Sequence, residues 1–422
     1  MLCMRMSLPT ASSPLRICFK ICTALLRGRR QASFHGGSGG KALKLKINGK
    51  LLTVFCSFGL QLNAFPLMLL TGCGGLNNGT PGTANVAENS SHAYLERASE
   101  VQTIVGAFDE KFKPRTARGK AFDARAADFL NYRVKWGMIC VMGRRGDIGM
   151  SWIGGYVHTD KPWDASWDDH KDLDGPTRNS AAINCASVGM TVTDLHYFNV
   201  HDGVRTNDAF DWVVEHNWGE YVRDDGIEND HLHSGRLYDS LFDGCYTGIS
   251  TRPSSDDTYT KGAGELVELD RVLLRLQAMP YPYKWETKEG VIGADGKPYT
   301  GSGIPYGHGN FFKLTSANRN PHFSIRNSVF LAAHLTEASN LDFPPESLID
   351  VCENNIIIWL GPGPYPGKLP TRKFPNGFKI ITGQEGRDLW VSKVIDWHSR
   401  HPNVGANRKP SSPGSLVFPK VF

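Results

Sequence analysis

The first 72 residues of this 422-residue chain contain no aspartate or glutamate, while they carry ten lysines and arginines. That absence decides how the formal charge of +5 is read. Without the segment, 37 basic residues face 42 acidic ones, so the rest of the chain is at −5. It therefore has no basic footprint for nucleic acid, and none is expected as a partner. CxxC, the spacing of many zinc and redox motifs, is also missing among the nine cysteines. Cys3, Cys18, Cys22 and Cys56 fall in the basic segment, whereas Cys140, Cys185, Cys245 and Cys352 are scattered and read as small buried hydrophobes. No methionine occurs between Met6 and Met68.

What the acid-free segment does contain is ordered like an export signal. "KALKLKINGK" (41–50) is a positive n-region, and "LLTVFCSFGLQLNAFPLMLL" (51–70) is an apolar run. The run ends in Leu70-Thr71-Gly72-Cys73, which resembles the lipobox of bacterial lipoproteins. That resemblance implies cleavage before Cys73, lipidation of its thiol and, with Gly74 rather than Asp next, sorting to the outer membrane of the cell envelope. The membrane partner is then a lipid anchor, and the Gly/Asn/Ser-rich stretch 73–91 is its flexible tether. Twenty apolar residues would also suffice to span a bilayer as a helix.

Residues 92–145 form an N-terminal cap region of mixed character, with helical spacing in "SHAYLERASEVQTIVGAFDEKF". From about 146 to 360 the texture is short β-rich runs broken by Asn, Asp and Gly. Five segments align: "VTDLHYF" from Val192, "VVEHNWG" from Val213, "LYDSLFD" from Leu237, "LDRVLLR" from Leu269 and "IRNSVFL" from Ile325. Each starts on an aliphatic residue and carries a large apolar residue five positions later: Tyr197, Trp218, Phe242, Leu274 and Phe330. Two after the start stands a polar one: Asp194, Glu215, Asp239, Arg271 and Asn327. A second register follows the first three segments, "HDGVR", "DDGIE" and "YTGIS", with Gly203, Gly226 and Gly248 at steps of 23 and 22. A period near 22 with two or three strands per repeat predicts stacked turns that share one core. The expected fold is all-β: a right-handed single-stranded parallel β-helix (a solenoid) with long loops and a short helical C-terminal cap within 361–422. By this texture the chain resembles the pectin-lyase-like superfamily over roughly 146–360. Three insertions (158–179, 251–264 and 282–310) are long enough to wall a groove. "DLWVSKVIDWHSRHP" (388–402) predicts an amphipathic helix over the open end.

The richest stretch is "RDDGIENDHLHSG" (223–235). In the glycine register Arg205, Glu228 and Ser250 fall in one outward column, and Asn207, Asp230 and Arg252 in the next. With turns about 4.8 Å apart, these form one polar patch of alternating charge, and His231, His233 and Arg236 continue from it. Stacked Arg–Glu pairs are also an ordinary way for a solenoid to satisfy its outer wall.

Two reactions suit such a patch. Lyases on the fold this chain resembles cleave a uronic acid polymer by β-elimination, with Arg, Lys or His moving the proton and often Ca²⁺ held by carboxylates. In that reading Arg205, Arg252 and His231 are base or neutraliser, Asp224 and Asp225 with Glu228 and Asp230 hold Ca²⁺ through oxygen, and the partner is an acidic polysaccharide. In a glycoside hydrolase, Glu228 and Asp230 serve as the acid–base pair. Trp163, Trp167, Trp285, His233 and Arg236 are the expected substrate-binding residues. A non-catalytic glycan-binding lipoprotein of the envelope is the third reading. "HLH" (231–233) places two rings together as zinc sites do, but no third ligand stands at a recognisable spacing.

Overall fold

The computed structural model describes residues 86–130, 134, 136–144, 146–161, 180–253, 262–280, 306–316, 319–333 and 341–404, and, nearer the N-terminus, 32–35, 41–47 and 50–56. Two compact units result, Met1–Gly79 and Thr80–Phe422. In the first, Ala32–His35, Lys41–Ile47 and Lys50–Cys56 pair as a three-stranded antiparallel sheet. Cys73 and the rest of the expected apolar run lie outside the described residues. No helix among the described residues is long and apolar enough to cross a membrane.

The second unit is a parallel β-helix. Among the described residues twenty-one strands join one sheet, and sixteen of them form a parallel sheet that turns through about 314° round an axis. One inward ladder runs Phe122, Trp152, Val192, Val214, Leu237, Leu269, Ile325, Cys352, each residue paired with the equivalent of the next turn. All eight are buried. Four of the five starts expected from sequence stand in this ladder. In the second segment Val214, not Val213, takes the position, a slip of one residue.

The slip has a steric cause. Tyr197 pairs with Gly219, not with Trp218, and a Cβ on Gly219 would collide with the Tyr197 ring. One large side chain fills the space of two, so matching large with large misplaces the turn. Trp218 instead faces outward and stacks on His196, centroids 3.8 Å apart and planes 3° from parallel.

Corners explain the polar positions. Asp194, His216, Asp239, Arg271, Asn327 and Asn354 occupy one corner in successive turns, all with φ between +37° and +58°. The left-handed conformation bends the chain within one residue, and Asn and Asp tolerate it best. The residue after each corner is buried, and in several turns a side-chain oxygen there caps a backbone N–H of the turn before. Asn217 Oδ1 accepts from Leu195 N at 3.0 Å, Ser240 Oγ from Asn217 N at 3.1 Å, and Asn355 Oδ1 from Ser328 N at 3.1 Å. This ladder satisfies donors that the bend removes from the sheet.

The expected glycine column is present. Val204, Ile227 and Ile249 pair turn on turn, placing Gly203, Gly226 and Gly248 in line. A Cβ on Gly226 would lie 2.8 Å from the Gly248 carbonyl oxygen and 3.0 Å from the Phe242 ring.

The solenoid starts earlier than the sequence implies. Helix α1 (Val86–Arg97) is followed by a strand, Glu100–Phe108, that pairs with Lys120–Leu130 as the first turn. Helical spacing therefore holds only for the first half of "SHAYLERASEVQTIVGAFDEKF". At the other end Phe378–Thr382 is the last strand and helix α2 (Gly383–Arg400) follows. α2 buries Gly386, Trp390, Val394 and Trp397. They pack with Ile358 and Leu360 of the late turns and with Val329, Leu273, Leu241 and Trp218 of earlier ones. The helix therefore lies along an outward apolar stripe. Its far end is fastened where Trp397 Nε1 donates to Asp239 O at 2.9 Å and Arg400 pairs with the Asp239 carboxylate. Cys140, Cys185, Cys245 and Cys352 are buried and unbridged, as expected of small hydrophobes.

Gly226→Ala forces a methyl against the neighbouring turn and is expected to cost about 1–3 kcal/mol. The test is a lower urea midpoint at unchanged slope; an unshifted midpoint would show that the column tolerates a side chain.

Candidate functional site

The third face of the solenoid is built from Trp136–Met142, Ser180–Ala186, Asp202–Arg205, the ends of Trp218–Glu228 and Leu241–Thr251, and Phe312–Leu314. Register stacks Arg205, Glu228, Ser250 and Lys313 in one column. Asp202, Asp225 and Thr247 form another, on the N-terminal side of the glycines. The expected column through Arg205, Glu228 and Ser250 is thus real. Its setting differs from the expectation of an open patch: Arg205 is 1% exposed and Glu228 9%.

Arg205 is fully engaged. Its Nε donates to Glu228, its Nη2 to Asp202 Oδ2 at 2.6 Å, and its Nη1 to the Trp136 carbonyl at 2.9 Å. A guanidinium held on three sides in the interior is a counter-charge to Asp202 and Glu228. Lys313 is the second cation. Its Nζ lies 3.0 Å from Asp225 Oδ2 and 3.7 Å from Asp224 Oδ1. Asp230 accepts from Ser250 Oγ at 3.2 Å.

Five carboxyls thus share two cations, and burial splits their protonation. Burial opposes the charge on Asp202, yet Arg205, His201 and a hydrogen bond from Glu228 overcome it and hold Asp202 below the usual range. Glu228 goes the other way: burial first, then the Asp202 charge, pushes it well above. Asp225 is likewise raised well above by burial, against the pull of Lys313 and with Asp224 and Asp202 adding to the rise. Burial also raises Asp230. Lys313 is raised well above its ordinary value because Asp224 and Asp225 outweigh burial, so it stays an ammonium. Protonated and ionised carboxyls side by side are the raw material of general acid–base chemistry.

The other expected residues divide. Arg252 is exposed beyond Ser250, to whose Oγ its N–H donates at 3.4 Å. His231 and His233 sit on the turn after Asp230, away from Arg205. His231 Nδ1 faces Asp208 at 2.9 Å, and the His233 ring meets Phe210, centroids 3.8 Å apart. Arg236, in the strand Gly235–Tyr238, forms an exposed pair with Glu268, 3.0 Å between Nη2 and Oε2. The structure does not bring it to the carboxyl cluster. Trp163, Trp167 and Trp285 lie outside the described residues.

Sequence reasoning missed Asp202 and Lys313. Asp202 had a usable signal, because Asp precedes the register glycine in both "HDGVR" and "DDGIE". Lys313 had none, since it stands 63 positions after Ser250, on which it is stacked.

For metals, one atom each from His201, Asp202 and Asp224 lie within 4.8 Å of one another. Asp202 is already bound to Arg205 and Asp224 is near Lys313. Asp224 and Asp225, the expected Ca²⁺ ligands, have that ammonium between them. A second trio, His216, Asp239 and His401, is buried under α2 with Arg400 on the Asp239 carboxylate, a structural clasp. Comparison of the chain with protein-family models, curated proteins and solved structures gives no match, so no relative lends a residue role to this site.

Stability should carry the mark of these protons. Carboxyls raised on folding keep protons that the unfolded chain releases above about pH 4. Glu228, Asp225 and Asp230 therefore stabilise below that value and lose the contribution as pH rises through their raised range. Asp202, depressed, loses its contribution only as pH falls through its low range. Glu228→Gln keeps a donor toward Asp202 and removes the charge. It is expected to flatten the fall in melting temperature as pH rises above the usual carboxylate range, whereas Arg205→Met costs about 3–5 kcal/mol by stranding carboxylates. Parallel pH profiles for the parent and Glu228→Gln would contradict the shared-proton picture.

Proposed function

We propose that this face hydrolyses glycosidic bonds in a polysaccharide, with Asp225 as proton donor and Asp224 as the partner carboxylate. The observation that carries the reading is the convergence of these two residues on the Lys313 ammonium, one buried and raised well above the usual carboxylate range, the other mostly buried but still reached by solvent. The two contacts laid end to end set an upper bound on the separation of their oxygens, and that bound leaves room for the closer, retaining spacing of carboxyl pairs. Asp225 gives its proton to the leaving oxygen. Asp224, as carboxylate, attacks the anomeric carbon or activates water there. Lys313 fixes both side chains and loses little in doing so, since its charge is already balanced.

Asp202, Arg205 and Glu228 are positioning residues beneath the pair. Asp202 Oδ1 accepts from the Asp225 backbone N–H at 3.3 Å, so the Arg205 network sets the orientation of Asp225. The scheme needs no divalent ion, because the Lys313 ammonium already counters the Asp224 carboxylate.

β-Elimination on an acidic polysaccharide is the second reading. It is favoured by one feature, the exposed Arg252 guanidinium next to Ser250 and Asp230. With Arg205 enclosed, Arg252 would neutralise the uronate. A panel of neutral and uronic acid polymers, assayed for reducing ends and for the ultraviolet absorption of unsaturated products, distinguishes the two. We expect reducing ends without unsaturation, lost about 10²–10⁴-fold in Asp225→Asn and Asp224→Asn with the fold kept. Unsaturated products lost in Arg252→Ala would replace hydrolysis by elimination. No product from any polymer would leave neither.

A further inference from the structure

The outer corner beyond the carboxyl cluster holds a second constellation. Asp208 and His231 each stand three residues past the paired Arg205 and Glu228, and they face each other, Nδ1 to Oδ1 2.9 Å. His233 joins them because buried Leu232 takes φ +60° between the two histidines. That left-handed residue returns the chain so that both rings stay at the surface, 6.1 Å between centroids. One ligand atom from each of Asp208, His231 and His233 lies within 4.8 Å of the others.

We propose that Asp208, His231 and His233 form a zinc site spanning two turns, with a fourth position open for water or an anionic ligand. Two imidazoles and one carboxylate are a donor set that zinc accepts, and three protein ligands are the number that leaves a coordination position free. Bonds of about 2.0–2.1 Å in a tetrahedral shell separate the ligand atoms by roughly 3.3 Å. The observed spacing needs only side-chain adjustment to meet it, and Asp208 and His231 are exposed enough to adjust.

The backbone is prepared for it. Asn229, fully buried, clasps the loop from inside: its Nδ2 donates to the His233 carbonyl at 2.8 Å and its Oδ1 accepts from the His233 N–H at 3.1 Å. Phe210 backs the His233 ring. A surface hydrogen bond between His231 and Asp208 requires none of this. The clasp on His233 is accounted for by a third ligand that must stay in place. The third ligand escaped sequence reasoning because Asp208 is 23 residues before His231, one full turn of the solenoid.

The test uses the full chain, free of any affinity tag and stripped by a chelator, titrated with Zn²⁺ by calorimetry. We expect one equivalent whose affinity falls tenfold or more in Asp208→Asn and in His233→Ala. It should be unchanged in His322→Ala, which breaks a different exposed His–Asp pair, Nδ1 to Oδ1 2.7 Å. Loading with Co²⁺ should give the intense visible absorption of a tetrahedral ion, lost in His231→Ala. Asp208 is exposed, so Asp208→Asn remains decisive if a histidine variant misfolds. Failure of the parent to bind zinc, or parent affinity in Asp208→Asn, overturns the site. Neither outcome bears on hydrolysis, which is read from Asp224 and Asp225.

Discussion

Parallel registration of one turn on the next is the constraint that everything else in this molecule follows. Each strand residue has as its nearest neighbours the equivalents about one repeat before and after it. Inside, this makes continuous ladders such as Phe122 to Cys352. Outside, it makes columns of charge. On the third face the columns crowd until water is excluded, and the cluster acquires the electrostatics of an interior. Arg205 is satisfied by a carboxylate from its own turn and one from the next. Such a network repays the cost of burying charge only if every member is paired. The surplus of carboxyls over cations is settled by retained protons.

The same registration governs which features the sequence revealed. Gly226 was legible because the carbonyl of the adjoining turn leaves no room for a side chain, so residue identity is dictated. The polar series through Asp194, Asp239 and Asn327 was legible because a left-handed corner selects residue type. What hydrophobic matching missed was compensation between turns. Tyr197 occupies the volume over Gly219, and that exchange is invisible to a pattern that seeks like above like. The first turn, Glu100–Phe108, was obscured for a related reason. It has a neighbour on one side only, its Val101 and Val105 are exposed, and its burial does not alternate.

In the carboxyl cluster, the nearness of Arg205, Glu228 and Asp230 was legible, because their turns follow one another without long insertions. Lys313 was lost behind residues 251–310, and with it the centre of the arrangement. The roles expected of Arg205 changed as well. From sequence it was a cation facing solvent; in the fold its donors are spent on Asp202, Glu228 and the Trp136 carbonyl. Sequence spacing gives the column a residue belongs to, but not how deeply its side chain is buried.

The long helix against the flank carries a consequence for how this architecture can vary. α2 holds Ile358 at one end and Asp239 at the other, so its 18 residues are a ruler laid against a fixed number of coils. An added or deleted coil between those two anchor points would displace one by about 4.8 Å relative to the other, nearly a full helical pitch. Growth or shrinkage of the stack by whole repeats is therefore penalised in the half that the ruler measures and is free only in the coils ahead of it.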